Sequence, residues 1–508
     1  MKKYTLISVG MCLMCLISIS FAGDKRRLPS GVTIPSEPSA QPSERVKEIL
    51  KACGYDVSVK KPNRFIINNN DGKYGFINDS GEVVIKPVYD KVKDFSEGLA
   101  AAKLWWKWGY IDTEDKNYLP FEYAEAGDFQ DGVAKVKFYK EEKNSDFLDL
   151  VNTFLEKSRY FFTEDDYEYA LIDKYGNVIV PAKTYNYIGS KSLALEFVSS
   201  FDERDLAESG KIFNDGLAYV GKEIKKDTIK FGFIDKTGKL VIDCVYDDVC
   251  SFQNGLARVK KNKKWGIINT NNKWVVKPEY DFIGAFSQGL ALFKKDGQYG
   301  YMNTKGEIVI KPKFSDGQYF SEGLARVKIN DNSGYSYIDT TGNIVFSLSP
   351  NIEKAEAFSD GRARIRIGRR YGYIDKLGNI VIKPQFQLAE HFTDGVVIVG
   401  DIIEGDTTKN YDNPFSTLSF TDKYHYGLID KNGKYIVPKK FESIGPFIDG
   451  IARVRLNGKY GYIKQDGSYL VEPRYENADS FKNGLAKVKF NGKQAYIDKT
   501  GRVVWQQE

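Results

Sequence analysis

Histidine is almost missing from this chain of 508 residues, which carries only His391 and His425. Two imidazoles cannot build a multi-histidine metal cage, and neither lies beside an obvious nucleophile, so most histidine-dependent chemistry is excluded. Cysteine is nearly as scarce: five residues are far too few for a disulfide framework. An excess of one charge is absent too. The 74 Lys and Arg against 68 acids leave a formal +6 spread along the chain, and no nucleic-acid binder is announced. There is no Gly-x-Ser-x-Gly elbow, phosphate-binding glycine loop, dinucleotide fingerprint or His-Glu-x-x-His, so neither an enzyme activity nor a cofactor is expected. The one long apolar run, Leu6 to Phe21, is shorter than the roughly 20 residues that span a bilayer. Lys2 and Lys3 precede it and Ser20-Phe21-Ala22 follow, so residues 1–22 read as a cleaved secretory signal. Neither Cys12 nor Cys15 has the small residues of a lipoprotein signal before it. The expected address is outside the cytoplasm, periplasmic, on the cell surface or extracellular, with no membrane span after cleavage. Cys53, Cys244 and Cys250 would remain, an odd number that reads most simply as buried thiols, with a Cys244–Cys250 bridge as the alternative.

What is abundant is aromatic: 33 Tyr, 32 Phe and 6 Trp. Many fall in a recurring phrase of aromatic, Gly, aromatic, Ile and Asp or Asn. It is seen at Tyr74-Gly75-Phe76-Ile77-Asn78, Trp108-Gly109-Tyr110, Phe231-Gly232-Phe233, Trp265-Gly266-Ile267, Tyr371-Gly372-Tyr373 and Tyr460-Gly461-Tyr462. With altered copies at Ala170, Ser336 and Ala495, the central positions are 75, 109, 170, 232, 266, 300, 336, 372, 427, 461 and 495. The period is about 34 residues, broken by three long insertions.

One unit, Phe231 to about Lys264, gives the logic. Phe231–Ile234 alternates as a strand, Asp235-Lys236-Thr237-Gly238 reads as a turn, and Leu240-Val241-Ile242 returns as a hairpin. In most units a proline follows and is expected to end the strand. Phe252-Gln253-Asn254-Gly255 then turns the chain into a third strand, Leu256-Ala257-Arg258-Val259. The reading is all-β: about eleven three-stranded antiparallel meanders, each burying one face against its neighbours, in a propeller-like ring or an open curved solenoid. The uneven insertions favour the open or loosely closed arc.

These residues resemble the WG-repeat (KWG-repeat) proteins, widespread in bacteria, over about residues 64–504. The resemblance implies an all-β repeat architecture, often on exported or multidomain proteins, and no general catalytic activity. Ala170, Ser336 and Ala495 at the central position, Gln494 in place of an aromatic, and Cys244 in place of proline depart from the pattern, so those units are expected to pack differently. Recurrence itself argues that Trp108, Gly109, Phe231, Gly232, Trp265, Gly266, Tyr371, Gly372, Tyr460 and Gly461 are scaffold. The acids Asp112, Asp235, Asp339, Asp375 and Asp498, at a fixed place before each turn, read as turn residues rather than calcium ligands or a glycosidase pair. Lys73, Lys107, Lys264 and Lys459 read as solvated strand ends.

Specificity should lie where copies differ. The array, residues 64–508, carries insertions at about 138–166, 189–212 and 400–424. The first holds Phe147, Val151, Phe154 and Leu155 on one helical face, the second a further helical pattern, and the third a polar loop with Asn413-Pro414. The two helices either pack together or shield one rim, and the first is the candidate partner-binding surface. Residues 23–43 read as a Pro/Ser-rich tether and 44–63 as a short capping segment. The function expected is a non-enzymatic, monomeric, exported scaffold that binds another protein or a cell-envelope component. The alternative is a carbohydrate-binding or glycan-processing protein, which would display a contiguous row of exposed aromatics.

Overall fold

A computed structural model describes residues 62–139, 167–181, 184–185, 187–188, 212–226, 228–404 and 423–508. The signal, the tether, most of the capping segment and the bulk of the insertions, including Phe147, Val151, Phe154 and Leu155, lie outside these residues.

Residues 63–508 form one unit, built from eleven small antiparallel sheets in chain order. Ten sheets have four strands and one has three, so the expected three-stranded meander is corrected in both count and phase. Blade 5 illustrates it, with strands at Asp248–Val249, Leu256–Lys261, Lys264–Asn269 and Trp274–Tyr280. The Gly-Leu-Ala strand pairs with the aromatic-Gly strand that follows it, Ala257 opposite Ile268 and Val259 opposite Gly266. A two-residue turn, Asn262-Lys263, joins them with both residues at positive φ, the hairpin geometry that matches strand twist. Six residues separate the Gly-Leu-Ala strand from the short first strand. That first strand is only two residues long in most blades, too short to leave an alternating pattern.

Proline does not end the fourth strand but lies inside it, as Pro278 within Trp274–Tyr280. The pairing of Ile267 with Val276 and of Trp265 with Tyr280 leaves extra residues on the outer strand, a bulge that can hold a residue without an N–H. The bulged backbone folds over the central glycine. A Cβ on Gly266 would lie 2.6 Å from the Val276 carbonyl oxygen and 2.9 Å from Pro278 N. Glycine and proline thus recur together because one makes room for the bend the other occupies. Where Ser336 and Ala495 replace the glycine, the bulge opposite the central residue is gone, Ser336 facing Ser347 and Ala495 facing Gln506, while the register shift before the turn remains.

The blades close into a propeller, the ring of the two expected arrangements, rather than the open arc that the uneven insertions favoured. At an ordinary junction, the turn glycine between third and fourth strands packs onto the fourth strand of the preceding blade: Gly238 of blade 4 sits on the Ile179 carbonyl of blade 3. Gly81 of blade 1 sits in the same way on the Val504 carbonyl of blade 11. Phe65, Ile67 and Ile77 share a core with Leu485 and Tyr496 across the same seam. The first strands face the axis, where loops converge so closely that Lys482 of blade 11 pairs with Asp94 of blade 2, two blades on, at 2.5 Å. The fourth strands form the outer wall, with exposed Leu240, Val241, Ile308, Val309, Ile380 and Val381.

Strand alternation places the connections. The hairpins between second and third strands open on one face of the ring, and the loops between first and second strands on the other. Insertion one leaves at Tyr139 and returns at Tyr167, and insertion three leaves at Glu404 and returns at Lys423, both on the hairpin face. Insertion two leaves after Ile188 and returns before Leu217, on the opposite face. The strand ends that anchor insertions one and two therefore lie on opposite faces. Ordered strand also extends further into insertions one and three than expected, through Tyr139 and Glu404.

Candidate functional site

The recurrent aromatics are buried. Tyr110, Tyr301, Tyr337, Tyr373 and Tyr462, each after a central Gly or Ser, are fully enclosed, as are Phe129, Phe252 and Phe320 of the Gly-turn phrase. They meet edge to face or tilted, with Tyr110–Phe129 centroids 4.7 Å apart and Tyr373–Phe392 4.9 Å. Each of these tyrosines donates its hydroxyl to a backbone carbonyl of the next blade. Tyr110 bonds Gly127 O, Tyr301 Gln318 O, Tyr373 Glu390 O and Tyr462 Asp479 O, at 2.7–2.8 Å. Burial pushes these phenols well above their ordinary pKa. Of the expected scaffold residues, Trp108 and Tyr371 are buried and Phe231, Trp265 and Tyr460 half-buried, while Gly109, Gly232, Gly372 and Gly461 meet backbone of the folded-over strand as Gly266 does.

The turn acids do what their spacing predicts. Asp235 Oδ1 accepts the backbone N–H groups of Thr237 and Lys239, and Asp375 Oδ1 those of Leu377 and Asn379. Among the described residues no group of His, Cys, Asp and Glu could hold a metal ion, and no helix is long and apolar enough to cross a membrane. Lys73 and Lys264 are not free strand ends: they pair with Asp90 and Asp281 at 2.5 Å, next to the link to the following blade. The bridge between Cys244 and Cys250 is not formed. Both are free thiols, Cys244 on a fourth strand and Cys250 beyond the next blade's first strand.

Three places depart from the repeat and are chemically distinctive. The first is the hairpin of blade 2, where Trp105 and Trp106 occupy the tip. Trp105 has φ of 61° and is 75% exposed. Other blades place Asn262, Asp296, Asn457 or Asn491 at this left-handed position. A bulky side chain held there is strained by roughly 1–2 kcal/mol. Lys103 and Lys107 flank the pair, and Trp106 meets Trp105 edge to face. Nothing in the repeat pattern flagged this hairpin, although a Trp-Trp pair where a turn needs Asn or Gly is a readable signal.

The second is a buried charge cluster between blades 8 and 9. Arg364 grips Glu356 with two nitrogens at 2.8 Å and also donates to Ala389 O. His391 Nε2 and Lys354 Nζ reach the same carboxylate at 3.3 Å. Burial alone would raise the Glu356 pKa, but these cations hold it below the usual carboxylate range. Burial raises Glu390, with Arg364 opposing only in part. The cluster ties blade to blade: Arg258, Arg326 and Arg453 donate in the same way to Ile283 O, Ala355 O and Ala478 O of the following blade.

The third is the inner edge of blade 1. Its sheet consists of Phe65–Asn68, Tyr74–Ile77 and Val83–Tyr89, and among the described residues no first strand pairs with Phe65–Asn68.

Fold and site together define a closed, repeat-built β-propeller whose surfaces vary from blade to blade around a constant core. The WG containing repeat matches residues 74–104, 108–140, 231–265, 265–299, 299–332, 335–370, 371–400, 426–460 and 460–493, and the chain belongs to that family. No curated protein matches it. Among solved structures, one titled as a eukaryotic initiation factor is 10% identical over 88% of this chain and 96% of its own, with a TM-score of 0.33. A streptogramin B lyase is 16% identical over 48% of this chain and 89% of its own, with a TM-score of 0.24. The N-terminal domain of Nup159 is 11% identical over 50% and 85%, with a TM-score of 0.23. Likenesses this distant carry no functional argument.

Proposed function

We propose that this protein is a non-enzymatic binding scaffold, exported and monomeric, that holds another protein or a cell-envelope component on blade-specific surfaces. The observation that carries the reading is the division of the aromatics: those that recur are buried at blade junctions, while the most exposed, Trp105, sits strained on a hairpin tip where the repeat has no use for it. A sugar-binding row would need a longer run of contiguous exposed rings: blade 2 exposes Trp105, Trp106 and Tyr118, whereas the exposed Tyr175, Trp274, Tyr435 and Phe490 lie singly on four other blades. Export rests on Lys2, Lys3 and the apolar run that follows.

The test is affinity capture from envelope extract with four baits: the wild type, Trp105→Ala with Trp106→Ala, and deletions of residues 140–166 and of 189–211. A specific protein retained by the wild type and lost from one variant of unchanged melting temperature is the expected result. Recovery of the same proteins by all four would overturn the proposed surfaces. N-terminal sequencing of the native protein should begin at Gly23, and an intact Met1 would refute export by cleavage.

A further inference from the structure

Ten blades fold their first strand onto the second through a turn whose two central residues both take positive φ, as at Glu97-Gly98, Asn254-Gly255 and Asn483-Gly484. Blade 1 has Pro62-Asn63 at the corresponding place, eight residues closer to the chain start than Asn70, with Phe65 facing Ile77 as Ala100 faces Ile111. Proline is locked near φ of −65° and cannot make that turn. Pro62 therefore cannot make the turn that joins first to second strand in the other blades, and among the described residues the inner edge of Phe65–Asn68 has no partner strand.

Blade 11 nevertheless keeps the groups that elsewhere bind the next blade's first strand. Lys487 stands where Arg258 and Arg453 donate to the second residue of that strand. Its ammonium makes no side-chain hydrogen bond to a described residue, and burial lowers its pKa, opposed by Asp479. Tyr496 stands where Tyr462 donates to the third residue, and its hydroxyl turns instead to Ile66 O on the open edge, at 2.8 Å. Lys482 stands where Ser96 and Ser287 bond the next blade's loop, and spans the gap to Asp94. Beside the edge, Asn68 Oδ1 is buried without a hydrogen-bond partner. The donors are built, and among the described residues no strand takes them.

The geometry points to a strand-acceptor site: the inner edge of blade 1 takes an extended segment of a partner protein as its fourth strand. The guest lies antiparallel to Phe65–Asn68 and places an Ala, Val or Ile side chain opposite Ile67, where other blades bury Ala126, Val249, Ile283 or Ala478. Its N–H groups serve Ile66 O and Asn68 O, which correspond to Ala101 O and Lys103 O, acceptors for Lys93 and Asp90 in blade 2. Its carbonyls receive Lys487 and Tyr496. Backbone pairing of this kind supplies affinity, and the one buried side chain supplies selectivity. This deepens the scaffold reading, on which it rests, by naming how a partner is held.

The probe is a fluorescein-labelled peptide copying residues 280–288, the first strand of blade 6, titrated by fluorescence anisotropy against the full chain. Saturable one-to-one binding is expected. Lys487→Ala and Tyr496→Phe should each weaken it, by about tenfold for a lost buried hydrogen bond, with only small decreases in melting temperature. Prolines at the peptide positions of Asp281 and Gly284, which remove the donating N–H groups, should abolish it. Three outcomes overturn the site: no saturation at concentrations on the order of 1 mM, equal binding by both variants, or binding only after residues 23–61 are deleted, which would mean that the chain fills its own edge. Failure here with a partner still captured through Trp105 would leave the scaffold reading standing.

Discussion

The junction between blades 3 and 4 and the seam between blades 11 and 1 are built alike on the outside and differently on the inside. Outside, Gly238 rests on Ile179 and Gly81 on Val504 with matching separations, 1.9 Å from a hypothetical Cβ to the carbonyl oxygen in both. Inside, an ordinary junction such as that between blades 10 and 11 is stitched by Arg453 and Tyr462 to the next first strand, whereas at the seam Tyr496 donates to Ile66 O of the second strand and no first strand is found among the described residues. Ring closure therefore rests on the outer turn contact and on the core that Phe65, Ile67 and Ile77 share with Leu485 and Tyr496, without the first-strand stitching of an ordinary junction among the described residues.

The most severe way to break this comparison is to add a methyl group at both outer contacts. Gly81→Ala and Gly238→Ala each force a Cβ into a backbone carbonyl at positive φ, and each should cost at least ~4 kcal/mol in urea unfolding. If the seam is a true junction the losses will match, and the Gly81 variant will show a larger maximum dimension by small-angle scattering as the ring opens. A mild Gly81 variant beside a crippled Gly238 variant would mean that closure does not stabilise the molecule.

Inner contacts should separate the two places. Arg364→Ala strips a buried carboxylate of its main partner and should cost about 3–5 kcal/mol, while Lys487→Ala at the equivalent seam position should cost under ~1 kcal/mol. The charge cluster also predicts a pH dependence. Glu356 titrates in the folded state below its ordinary 4.5, so the stability it contributes is present above that value and lost as pH falls beneath it. Glu390 is shifted upward, so its ionised form costs stability at neutral pH and acidification relieves that cost. Glu390→Gln should raise the neutral-pH unfolding midpoint, and Glu356→Gln should lower it while flattening the acid limb. The hydroxyls give a smaller contrast. Tyr373→Phe should lose about 1 kcal/mol, and Tyr496→Phe less, because Ile66 O lies on an edge with no strand partner among the described residues.

Much of this architecture could be read from residues such as Gly266, Asp235 and Phe252, because each is demanded by backbone geometry in every copy and so repeats. The number of blades and the turn chemistry followed from that repetition. The first strand did not, since two residues such as Asp248-Val249 carry no period. Phase was misjudged because a hairpin of Asn262-Lys263 looks less like a turn than Asp235 to Gly238 does. Closure was hidden as well: the seam depends on Phe65 meeting Tyr496, a pairing across almost the whole chain that no local pattern encodes. The candidate sites were the least visible, because they consist of departures: Pro62 where a turn needs positive φ, Lys487 where an arginine has a strand to bind, Trp105 where asparagine fits.

That last departure gives the gentlest test. Blades 5, 10 and 11 place Asn262, Asn457 and Asn491 at the left-handed turn position, at φ of 50–53°; asparagine tolerates this conformation and tryptophan does not. Trp105→Asn should therefore stabilise the protein by about 0.5–1 kcal/mol, read as a higher urea midpoint with an unchanged slope. The same variant should lose the partner captured through that face, so that stability and binding move in opposite directions. A stabilised variant with undiminished binding would make the tryptophan a tolerated accident of blade 2, and a destabilised one would mean that Trp105 packs against the protein more than its exposure suggests.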